Sequence, residues 1–146
     1  MSEWLETYRG VVLPMHCDQF GHFNVRFYAH AFDDATFHLW SRAGVDQPAL
    51  LARGIAMVTA RNTVNFKREL RAGDLFLVES GISRVGGKSV GHVHRMRNAN
   101  TGEVCATMES VEVFFDAEAR RSTAMPAELR GELTARVLDA AELEKL

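Results

Sequence analysis

"RFYAHAFDDATFHLWSRAG", residues 26–44, is the stretch on which the fold turns. Its apolar residues Tyr28, Phe32, Ala35, Leu39 and Ala43 recur every three or four positions, the spacing of one α-helical face. Phe27, Ala31 and Trp40 widen that face, so the helix is expected to be buried on every side. Gly44 stands where a glycine commonly ends a helix.

Downstream of the helix the pattern changes to alternation and short apolar runs. Segments 55–70, 74–85, 89–98 and 103–116 have the composition of strands, and Gly73-Asp74, Gly86-Gly87 and Asn100-Thr101-Gly102 punctuate them as turns. Upstream, residues 6–14 read as a first strand ended by Pro14. From Pro126 the chain is rich in Ala, Leu, Glu and Arg, which predicts a terminal helix over 126–146. One apolar helix among long antiparallel strands can bury itself only if the sheet wraps it. The order therefore predicts a single α+β domain over 1–146, a hotdog fold with an antiparallel sheet around one long central helix. Such a sheet leaves an edge strand open, so a homo-oligomer, dimer or tetramer, is expected.

Composition narrows the partners. The formal net charge of −2 removes the bulk attraction to phosphate that nucleic-acid binding needs. No apolar run approaches the roughly 18 residues of a membrane span, and "MSEWLETYRG" has no signal-like apolar core. Two cysteines, Cys17 and Cys105, form no disulfide framework or zinc spacing. A cytoplasmic protein with neither membrane nor nucleic-acid partner is the expectation.

Just ahead of the helix, "MHCDQFGHFN" (15–24) concentrates reactive side chains. Together with Tyr28 and the helix, this segment resembles the hydroxybenzoyl-CoA thioesterase family of hotdog acyl-CoA thioesterases. The family pattern runs D-x-D-x-x-G-H-x-N, then a tyrosine and a helix. Asp18, Gly21, His22 and Asn24 match it, while His16 replaces the first aspartate. "RAGD" (71–74), "VGGKSV" (85–90), "VFFD" (113–116) and the basic stretch before Pro126 extend the resemblance over residues 8–126. It implies a thioester hydrolase acting on acyl-CoA without a cofactor. Asp18 would be nucleophile or general base, the Val25 N–H the oxyanion donor, and Gly21 the residue that lets the chain turn close to substrate. By the same resemblance, Asp33 is an acid directed toward a neighbouring subunit's site. Lys88 and Ser89 form a phosphate-contacting turn, and Arg121 is a basic position after the last strand.

The residues also admit plainer roles. Aspartates ahead of helices often cap turns, so Asp18 can be a capping residue. His22 can orient Asp18, touch the thioester or bond the loop backbone, and Asn24 suits a cap. A solvated helix face accounts for Asp33 as well as the neighbouring-subunit role does, and Asp34 reads as solvated. Cys17 lacks a matched histidine base. His16, Cys17, Asp18 and His22 are all possible metal ligands, but three adjacent residues can hardly converge on one ion, so no metal is expected. His92 and His94 share a strand face, read as a surface face, and Arg68, Arg71, Arg95 and Arg97 read as solvated. Met57, Phe66, Phe76 and Met108 line either a tunnel or the core. Two other functions fit the same fold: an enoyl-thioester hydratase or dehydratase, and a non-catalytic acyl-CoA or acyl-carrier binding module.

Overall fold

A computed structural model describes residues 3–146. Strand β1 (Leu5–Val11) leads through a single 3-10 turn at Pro14–His16 into helix α1 (Val25–Arg42). Asn24 caps α1, its Oδ1 accepting from the Arg26 N–H, and Gly44 follows the helix in the left-handed region with φ of 81°. Proline sits in the first turn of a short second helix, α2 (Gln47–Ala52), whose N-cap Asp46 accepts from the Ala49 N–H. Pro48, which on its own reads as a loop residue, therefore opens a helix. Strands β2 (Ile55–Phe66), β3 (Leu75–Val85), β4 (Ser89–Asn98) and β5 (Val104–Asp116) follow. A two-residue strand, β6 (Arg121–Ser122), pairs with β5. The tail is broken into α3 (Ala127–Thr134) and α4 (Ala140–Leu143), not one helix.

The strands run in the order β1-β3-β4-β5-β2, each pair antiparallel, so β1 and β2 are the edges. Pairing of β1 with β3 begins at Leu5–Ser80, and beyond Ser80 the tail takes over the edge through a parallel bridge between Ile82 and Val137. Gly81 makes room there: a Cβ on it would stand 2.5 Å from a Leu138 methyl. The opposite edge, twelve residues of β2, has no strand neighbour other than β5 among the described residues and is mostly exposed. The sheet curls around α1, as the hotdog reading required.

Burial of α1 is one-sided, contrary to the expectation of burial all round. Tyr28, Ala31, Phe32, Ala35, Leu39 and Trp40 are buried, whereas Val25 and Phe37 are each 61% exposed. A single sheet covers only one face of a cylinder, and nothing else among the described residues covers Val25 and Phe37 on the other. Beneath the buried face the apolar core falls into two clusters. Phe23, Tyr28, Phe32, Phe76, Val78, Met96 and Met108 pack at the helix N-terminal half. Leu39, Trp40, Ile82, Val90, Phe114, Leu129 and Leu133 pack at the other.

Candidate active site

The loop between the 3-10 turn and α1 is a compact hairpin. A bridge joins Cys17 to Phe23, the Asp18 N–H donates to His22 O at 2.9 Å, and the Gly21 N–H donates to Asp18 O at 3.0 Å. Gly21 has φ of 77°, a conformation that costs a side chain strain, and this explains the glycine the turn needs. Asp18 Oδ1 accepts from the Phe20 N–H at 2.9 Å and from the His22 N–H at 3.2 Å. The capping role is thus real: one carboxylate oxygen holds the turn. Its other oxygen, Oδ2, has no hydrogen-bond donor among the described residues.

At the start of α1 most backbone donors are engaged. The Phe23 N–H donates to Leu70 O, the Asn24 N–H to His16 O, the Phe27 N–H to Asn24 O and the Arg26 N–H to Asn24 Oδ1. The Val25 N–H has no acceptor among the described residues, at the positive end of the helix dipole. A free carboxylate oxygen and a free helix-terminal N–H therefore occupy the same loop.

His22 donates only its backbone to Asp18. Its ring pairs with Glu69 at 3.0 Å and lies 3.4 Å from the Arg71 guanidinium, across a bridge between residues 22 and 71. The ring thus meets the side chains of Glu69 and Arg71, not Asp18 and not the loop backbone. His16 accepts the Leu13 N–H at Nδ1 and packs on Phe27, with ring centroids 4.7 Å apart. The Cys17 thiol lies 3.7 Å from Leu13 O. Tyr28 is buried beside this loop, and burial pushes its hydroxyl pKa up to about 12, so it stays protonated. No cluster of three or more His, Cys, Asp or Glu placed to hold a metal occurs among the described residues.

The remaining candidates lie elsewhere. Asp33 is exposed on α1, and Asp34 pairs with His30 at 3.4 Å. Lys88 and Ser89 sit at the β3–β4 turn and Arg121 beside the end of β5, whereas the Asp18 loop adjoins residues 70–71, just before β3 begins. One chain therefore separates them from Asp18 by the length of the sheet. Phe76 and Met108 belong to the core, Phe66 is a half-exposed edge residue against Tyr28, and Met57 alone of that set lines a cavity.

That cavity, of about 840 Å³, is bounded by Phe37, Trp40, Ser41, Val45, Leu50, Leu51 and Met57. Its walls come from the C-terminal half of α1, from α2 and from the start of β2. Trp40 lies fifteen residues beyond Val25, roughly 22 Å along the helix axis. The α2 wall was readable as "DQPALL" (46–51), a capping aspartate followed by a first-turn proline.

Two further expectations need correction. His92 and His94 do not lie on a surface face: both are buried beneath α1, His92 edge-on to Trp40 and His94 beside Phe32. Arg95 is not solvated. It is buried on the opposite sheet face under the Trp4 ring, 4.1 Å from its centroid, and its Nε donates to Glu79 Oε2. Arg97 donates to the same oxygen at 2.8 Å. Burial pushes the Glu79 carboxyl up, but hydrogen bonds and charge from Arg97 and Arg95 outweigh it and leave the pKa below the ordinary value.

The fold and loop define a class, and sequence comparison agrees. Residues 12–133 match the model of the thioesterase-like superfamily, and the chain belongs to it. Solved structures with the same fold include a probable thioesterase from Escherichia coli, at TM-score 0.76 and 23% identity over 89% of this chain and 97% of that one. A Staphylococcus aureus protein solved in complex with CoA superposes at TM-score 0.81, with 17% identity over 98% and 93%. A 1,4-dihydroxy-2-naphthoyl-CoA thioesterase from Synechocystis gives 0.75, with 15% identity over 86% and 93%. This chain is a hotdog thioester hydrolase by family.

Proposed function

We propose that the protein hydrolyses acyl-CoA thioesters, using Asp18 as nucleophile or general base and the Val25 N–H as the oxyanion donor. The carrying observation is the pairing of an uncommitted Asp18 oxygen with an uncommitted helix-terminal N–H. As nucleophile, Asp18 would add to the thioester carbon, the C–S bond would break to release CoA thiolate, and water would then cleave the acyl-aspartyl anhydride. As base, it would take a proton from water that attacks the same carbon. In both routes charge gathers on the carbonyl oxygen, where a fixed N–H is worth most.

The apolar cavity is too far along α1 to serve the Asp18 loop of its own chain. Antiparallel pairing of β2 with a second copy of itself removes the difficulty, because a twofold axis places the start of one β2 beside the end of the other. The exposed face of α1, with Phe37, would be covered at the same time. Each Asp18 would then face the partner's cavity and the partner's Lys88, Ser89 and Arg121, with the cavity taking the acyl group. The hydratase reading needs an accessible histidine–acid pair. His92–Glu112 is sealed in the core, with side-chain exposures of 0% and 6%, and the accessible pair beside the Asp18 loop, His22–Glu69, is tested for this reading by loss of enoyl-CoA absorbance on hydration.

The test is thiol release from a panel of short, long, branched and aromatic acyl-CoAs. Asp18→Asn retains the turn-closing oxygen, so its fold should survive while turnover falls at least about a hundredfold. Equal turnover by mutant and wild type would sink the assignment.

A further inference from the structure

Between the two apolar clusters the core is crossed by a line of polar side chains, one or more from every long strand. Thr7 of β1 lies 2.6 Å from Ser80 of β3, whose hydroxyl lies 2.5 Å from His94 Nδ1 on β4. His94 Nε2 lies 2.7 Å from His92 Nδ1, and His92 Nε2 lies 3.2 Å from Glu112 Oε1 on β5. The Thr59 hydroxyl of the edge strand β2 closes the line, donating to both Glu112 oxygens at 2.9 and 3.1 Å. Thr7, Ser80, His92, His94 and Glu112 are all buried. The neighbours supplied by α1 are Phe32, Thr36 and Trp40, none of them charged. Among these contacts the titratable groups are Glu112, His92 and His94 alone.

We propose that Glu112, His92 and His94 form a one-proton switch, in which proton uptake by the Glu112–His92 pair reverses the direction of every hydrogen bond from β4 to β1. With Glu112 ionised and both rings neutral, His92 Nε2–H donates to the carboxylate. His92 Nδ1 must then accept from His94 Nε2–H, so His94 Nδ1 accepts from Ser80 and Ser80 accepts from Thr7. Add one proton between Glu112 Oε1 and the His92 ring, and His92 carries a hydrogen on Nδ1: either the ring is the cation, or Oε1–H donates to Nε2 and the neutral ring keeps its hydrogen on Nδ1. His94 Nε2 becomes an acceptor, its hydrogen moves to Nδ1 and points at Ser80, Ser80 donates to Thr7, and Thr7 donates to Val78 O, 3.2 Å away. Both arrangements satisfy the buried groups, which is what makes the line bistable.

His94 itself does not charge in either state. Its burial, and then the neighbouring His92, hold its pKa well below the ordinary histidine value. It transmits the change as a tautomer. The inference is independent of how Asp18 acts, since no member of the line touches that loop.

Nitrogen-15 NMR of the histidine rings in the full chain, from about pH 8 to pH 5, reads the tautomers directly. His94 should stay neutral at both ends and pass from the Nε2–H to the Nδ1–H form with one midpoint. Glu112→Gln should show a single His94 tautomer throughout. Thr7→Val leaves all charged groups in place and provides the test even if the glutamine variant fails to fold. In the acid state it strands the Ser80 hydroxyl without an acceptor, so the midpoint should fall by on the order of one pH unit. One unchanging His94 tautomer in the wild type, a tautomer change that persists in Glu112→Gln, or an unmoved midpoint in Thr7→Val would each overturn the proposal.

Discussion

If each Asp18 works on an acyl group held by the other subunit, two dead variants should make one live site. Asp18→Asn removes the carboxylate and keeps the turn. Ser41→Trp with Ala56→Trp fills the cavity from α1 and from β2, both positions being part of its wall. Each homodimer should be nearly inactive. A heterodimer, coexpressed with two different tags and purified through both, holds one site in which Asp18 and the facing cavity are both intact, and one in which both are lost. It should turn over at about half the wild-type rate per dimer, because a twofold assembly has two equivalent sites. The separation of roughly 22 Å between Val25 and Trp40 is what forbids the alternative within one chain, since a helix of this length does not fold back on itself. A heterodimer as inactive as its parents would refute the shared site, and a monomer by light scattering would refute the β2 pairing behind it.

Removing Glu79 should expose how much the outer face depends on it. Glu79→Gln leaves the buried Arg95 without its carboxylate, and urea unfolding should show a loss of about 3 kcal/mol. Gly10→Ala places a Cβ 2.4 Å from the Phe76 ring, which Phe23 and Tyr8 hold in place. The displaced ring should cost about 1–3 kcal/mol in the same assay. Stability should also fall with acid. His94 takes up a proton on unfolding that it refuses when folded, so its contribution is full above the ordinary value of 6.5 and declines as pH drops below it. That one proton corresponds to about 1.4 kcal/mol per pH unit, and His94→Gln should flatten the dependence of unfolding free energy between pH 6.5 and 5 by this amount.

Local pattern was enough to locate the elements and the reactive loop. The three- and four-residue spacing from Tyr28 to Ala43 specified α1, the turn glycines bounded the strands, and "MHCDQFGHFN" marked the hairpin that sets Asp18 before the helix. These features depend on neighbours a few residues apart, whose periods and caps are written along the chain. What lies across the sheet was not written there. His92 and His94 alternate as surface residues do, and only the curl of the sheet under α1 turned them inward, where Ser80 and Glu112 satisfy them. Arg95 looked solvated until Trp4, ninety-one positions earlier in the numbering, came to cover it. The distance between Asp18 and the cavity was likewise set by the rigid length of α1. Burial and reach are sums over residues remote in sequence, so tertiary packing alone decided them.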